Sequence, residues 1–146
     1  MIVNKKEEIE VLKDIQKNTH MAMKAIDTIA SKVYDDDLAL QLSRQSLKYS
    51  AIHNEAVDRI LEERAMPIHG NAIEEAMLVG GIHMNTILNT SSSHIAELMI
   101  QGSNRGLTNM WKTMNMHPEA KGKSMEIAKE LMDFEEKSIE ILKKYL

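Results

Sequence analysis

The sequence predicts an all-α domain, and three observations carry that prediction. Apolar residues recur every three or four positions through most of the chain, a spacing that only a helix brings onto one face. Aromatic residues make up 3% of the composition while methionines number 12, which suits helical cores and disfavours sheets. Asp, Pro and Gly fall between the periodic stretches, where helices stop and start. Four such stretches joined by short connections predict an up-down-up-down four-helix bundle. The 146 residues suit a single domain spanning 1–146.

The first stretch runs from Lys5 to Val33 and turns Leu12, Ile15, Ile26 and Ile29 inward. Tyr34-Asp35-Asp36-Asp37 ends it, since acids are unfavourable at a helix C-terminus and favourable at the next N-terminus, where Asp35 or Asp36 can cap free amides. The second stretch carries Leu38, Leu42, Tyr49, Ile52, Ala56 and Ile60 inward and closes before Pro67 and His69-Gly70-Asn71. The third extends from about Ala72 to Met114, with a break or kink expected at Gly80-Gly81, because paired glycines weaken a helix interior. Pro118 is expected to open the fourth helix at a position where its missing N–H costs nothing. That helix turns Ala128, Leu131, Met132, Ile139 and Leu142 inward.

Charge and composition narrow the functional classes. A net charge of -4 and alternating signs along the chain argue against nucleic-acid binding, which needs a basic stripe. Cysteine is absent, so disulfides, thiolate metal sites and cysteine nucleophiles are excluded, in keeping with a reducing compartment. The opening MIVNKKEEIEVLKD offers no apolar signal-peptide core and no run reaches membrane-spanning length, which predicts a cytoplasmic protein with no membrane partner. No phosphate loop, nucleophile elbow or zincin motif occurs.

Helical phase separates two groups of polar residues. His94 and Glu97, three apart, have the spacing of a metal pair, but a single wheel drawn through 72–114 puts them outside with Gln101. With Trp111 they form a candidate interface between subunits, supported by small residues at Ser91–Ser93, Gly102, Ser103 and Gly106. The residues expected to face inward form a buried polar layer of Gln16, Thr19, Gln45, Tyr49, Asn85, Ser92 and Glu135. Glu135 lies centrally in an apolar stripe, where a carboxylate either finds a partner or shifts its pKa upward. His53 and Glu135 are the candidate metal ligands, for Fe or another divalent ion; as a hydrogen-bonded layer, the same residues would instead fix helix register. No cofactor is predicted. Met110, Met114, Met116 and His117 could ligate Cu(I), although methionines at helical spacing usually fill cores.

With HIAELMIQGSNRG on the third stretch and AKELMDFEEKSIEILKKYL at the chain end, the sequence resembles small helical proteins of spore-forming bacteria. More distantly it is similar to the ferritin-like superfamily and to spore-coat-associated proteins with paired acids followed by Ile-x-x-Leu-Lys-Lys. That resemblance implies a ferritin-like bundle. It also implies inward Glu-x-x-His motifs on two helices, which this chain lacks; His94-x-x-Glu97 has the reverse order. The leading functional expectation is a non-catalytic bundle acting through self-association or a protein partner, in a stress or sporulation setting. The alternatives are a metal-binding protein or di-metal oxidoreductase with an atypical ligand set, and a small-ligand carrier with an elongated, methionine-lined pocket.

Overall fold

The computed structural model describes residues 5–146, whose regular structure is all helical. Five helices follow in order: α1 (Lys5–Ala30), α2 (Asp36–Glu62), α3 (Ala72–Thr86), α4 (Ser92–Met116) and α5 (Lys123–Leu142), with a 3-10 turn at Lys143–Tyr145. α1 packs against each of the other four, α4 also packs along α5, and α2 meets α5. The shared core holds Leu12, Ile15, Leu42, Ile52, Ile95 and Leu131, all essentially inaccessible to solvent. α3 stands apart: it rests on α1, and Thr86 is its one buried residue.

Local chemistry sets the helix ends. Asp35 caps α2, its carboxylate accepting the Leu38 amide at 2.9 Å, with Asp36 and Asp37 in the favourable first turn. Asn71 caps α3 by accepting from the amides of Ile73 and Glu74. The connection before it is held from α1: the Gln16 amide donates to the Ile68 carbonyl at 3.1 Å and accepts the Ile68 N–H at 3.0 Å.

The structure corrects the sequence reading at three places. Five helices replace the expected four, because the break in the third stretch lies at residues 87–91 and not at Gly80-Gly81, which stay inside α3. The decisive signal is Asn89-Thr90-Ser91, where the Asn89 side chain accepts the Ser91 amide at 3.0 Å and Ser91 caps α4 through the His94 amide at 3.2 Å. Side chains that compete for backbone groups end a helix more effectively than glycine weakens one. The break also shifts helical phase, so Asn85, expected in the buried polar layer, is exposed, and so is Leu88, at 97%. Finally, Pro118 does not begin the last helix. It lies in a turn closed by Ala120 N–H to His117 C=O, and α5 starts after Gly122, whose φ of 69° favours glycine.

Candidate ligand-binding site

A cavity of about 690 Å³ opens between α1, α3 and α4. Its walls are aliphatic and thioether groups, among them Ile29, Met77, Leu78, Met99 and Met110. Glu135 from α5 and Tyr49 from α2 complete its lining, each only 2% exposed. Both belong to inward helical stripes, so the apolar neighbours that bury them also fix their position. The Tyr49 ring is held edge-on against Phe134, with centroids 4.9 Å apart.

Glycine makes room for the carboxyl group. A Cβ on Gly106 of α4 would lie 3.0 Å from the Glu135 carboxyl carbon and nearer still to both of its oxygens, so the two helices close around the carboxyl only because position 106 has no side chain. Tyr49 donates its hydroxyl to Oε2 at 3.3 Å, and the Ser103 side chain favours the ionised phenol, against the larger effect of burial. Oε1 is buried without a hydrogen-bond partner among the described residues. Burial pushes the Glu135 pKa up to about 8, against the Tyr49 hydrogen bond that favours the charged form. The Tyr49 phenol is raised well above its ordinary value, first by burial and then by the neighbouring Glu135 charge.

The rim is charged. Lys17, Glu74, Arg105 and Lys112 surround the opening, and Asp14 accepts the Thr113 hydroxyl at 2.8 Å. α3 is fastened over one side by Lys17 to Glu74 at 3.3 Å, by His20 to Glu75, and by His94 Nε2 to the Asn85 carbonyl at 2.7 Å.

The remaining residues singled out in the sequence fall into separate environments. Gln45 is buried, and neither of its amide atoms has a partner among the described residues. Thr19 is buried, donating within α1 and meeting His53 Nδ1 at 3.0 Å. His53 lines a second cavity of about 440 Å³ with Gln16, His20 and His69, whereas Glu135 lines the first. Burial lowers the His53 pKa, and the Gln16 carbonyl opposes that shift. Among the described residues, no group of three or more His, Asp or Glu is placed to hold an ion. Asn85 leaves the expected polar layer, being exposed and bonded to the Gly81 carbonyl, and Ser92 is half-buried at the start of α4. Glu97, Gln101 and Trp111 face solvent, while His94 is half-buried beneath the end of α3.

No family model, curated protein or solved structure matches this chain.

In the sequence Ser103 and Gly106 are legible only as small residues, and the room that Gly106 leaves for the carboxyl group goes unseen. The available signal is a hydroxyl and a glycine three residues apart, on a face that must meet a buried acid.

Proposed function

We propose that this chain is a non-catalytic helical protein that binds a small, mainly apolar molecule in the cavity beneath α3. The observation that carries the reading is Glu135: a buried carboxyl group with one oxygen unpartnered among the described residues, set into the lining of a cavity of about 690 Å³. Ligand sites combine apolar walls, a volume of roughly 300–1,000 Å³ and a few placed polar groups, and this cavity has each of them. We take α1, α2, α4 and α5 as an up-down-up-down, ferritin-like bundle with α3 added as its cover. A cytoplasmic setting accords with the absence of cysteine. Methionine-methyl NMR of the full chain during titration with 1-octanol tests the reading. Saturable shifts at Met99 and Met110 are expected; their absence at millimolar probe, with no adduct in native mass spectrometry, overturns it.

A second reading, self-association, is favoured by the outer face of α3. Ile73 and Met84 lie on one helical stripe that Leu88 continues past the helix end, and they are 74%, 77% and 97% exposed. Gly80 and Gly81 lie midway along α3, where a Cβ would meet nothing within 4 Å, so a second copy of this chain can approach the backbone there. Analytical ultracentrifugation tests it: a dimer lost in Met84→Glu is expected, and a wild-type monomer at high concentration removes it.

A further inference from the structure

The direction of the hydrogen bonds around Glu135 indicates what the cavity receives. Tyr49 donates its hydroxyl to Oε2, so the phenol proton is already committed to the carboxyl group. Asn18 Nδ2 spends one of its protons on the Gly106 carbonyl at 3.0 Å. At the deep end, Oε1 is buried with no partner among the described residues. The cations lining the cavity, Lys17, Arg105 and Lys112, all lie at its rim, so no described cation is enclosed with Glu135. The walls between rim and carboxyl are aliphatic and thioether groups, which accommodate a hydrocarbon chain and conform to its shape.

We propose that the deep end of the cavity takes an amine carried on an apolar chain, held by the Glu135 carboxyl group through Oε1. This rests on the ligand-binding reading above and names its ligand class. Either distribution of the shared proton is favourable. A carboxylate accepts from an ammonium in a charge-assisted bond, and a carboxylic acid donates to a neutral amine. The proton balance is the same in both cases: near pH 7 the free site holds the acid form and the free ligand is ammonium, whereas the bound pair retains one proton fewer. Binding therefore releases about one proton at pH 7, and the release fades as pH passes about 8 and the free site is already ionised. The other titratable groups facing the cavity are Tyr49 from α2, Asp14 and Lys17 from α1, Glu74 from α3, and Arg105 and Lys112 from α4. Of these only Tyr49 contacts Glu135, and its phenol stays protonated over this range.

Isothermal titration calorimetry on the full chain, in two buffers of different ionisation enthalpy, tests the proposal with n-octylamine, 1-octanol and octanoate. The expected result is n-octylamine binding about tenfold or more tightly than 1-octanol, with octanoate weakest and proton release confined to the amine. Glu135→Gln is expected to abolish both the preference and the proton release while 1-octanol still binds. Equal affinity for amine and alcohol, tight octanoate binding, or amine binding without proton release in the wild type would overturn the amine assignment and leave the cavity reading standing. Failure of all three probes to bind would overturn both.

Discussion

Gly106 and Glu135 occupy one space: the carboxyl group of Glu135 sits where a side chain at 106 would begin, its carboxyl carbon 3.0 Å from that Cβ position and its oxygens closer. Two facing helices have thus divided a fixed volume, one giving up its side chain so that the other can bury an acid. The cavity lining depends on this arrangement, because any side chain at 106 displaces the group that gives the site its polarity.

Gly106→Ala should therefore destabilise the protein by about 1 kcal/mol, the low end of overpacking penalties, because the displaced carboxyl group ends a flexible side chain that borders the cavity. Gly102, one turn earlier, is the control, since a Cβ there meets nothing within 4 Å. Gly102→Ala should stabilise the helix by roughly 0.5–1 kcal/mol, because alanine loses less backbone entropy on folding. Chemical denaturation of the two variants checks both signs. In a Glu135→Ala background the Gly106→Ala penalty should largely disappear, since the clash is with the Glu135 carboxyl.

Glu135 should make stability depend on pH in the direction opposite to a salt-bridged acid. Burial raises its pKa to about 8 from the ordinary value of 4.5, so between those values the unfolded state releases a proton that the folded state keeps. Its contribution is fully present below about 4.5 and is lost progressively as pH rises to about 8. The loss is on the order of 3–5 kcal/mol, since a tenfold change in proton affinity corresponds to about 1.4 kcal/mol. Denaturation of the wild type at pH 5 and pH 9, set against Glu135→Gln, isolates this contribution. The variant should be the more stable protein at pH 9, and equal slopes for the two would contradict the assignment.

Gln45 carries the simplest energetic prediction. Its amide is buried and neither Nε2 nor Oε1 has a partner among the described residues, a desolvation cost with nothing offsetting it. Gln45→Met keeps the shape and removes the polar atoms, so the denaturation midpoint should rise by an amount equivalent to about 1–2 kcal/mol. Because Gln45 does not line the cavity, 1-octanol affinity should be unchanged in the same variant.

How much of this is legible in the sequence follows from which interactions are local. The inward stripe Leu38, Leu42, Tyr49, Ile52, Ala56, Ile60 is buried throughout, because helical phase within one uninterrupted helix depends only on spacing. Glu135 stands out for the same reason, as an acid inside an apolar stripe. The boundary between α3 and α4 falls away from Gly80-Gly81 because paired glycines supply no cap, whereas Asn89 and Ser91 do. A wheel carried unbroken across that boundary puts Asn85 on the wrong side. The cavity can be anticipated only as methionine content, since its shape comes from how α3 leans on α1, a tertiary fact with no local signature.

α3 should behave as the movable cover of the site. Thr86 is its one buried residue, and Leu78 and Ile82 are only half-buried. The other contacts that hold it are polar and near the surface: Lys17 to Glu74, His20 to Glu75, and His94 to the Asn85 carbonyl. Partly exposed ion pairs contribute about 0–1 kcal/mol each, so α3 can lift without unfolding the core that α1, α2, α4 and α5 share. Hydrogen–deuterium exchange should show amides of residues 72–86 exchanging at least about a hundredfold faster than the core of α2. Ile82→Ala should speed exchange in α3 while leaving α2 and α5 nearly unchanged, because Ile82 packs only at the margin of the core. A bound ligand should slow α3 selectively, since it fills the space that α3 covers. Uniform protection across all five helices would show instead that α3 unfolds only with the rest, and a ligand would then have to enter by a route that leaves α3 in place.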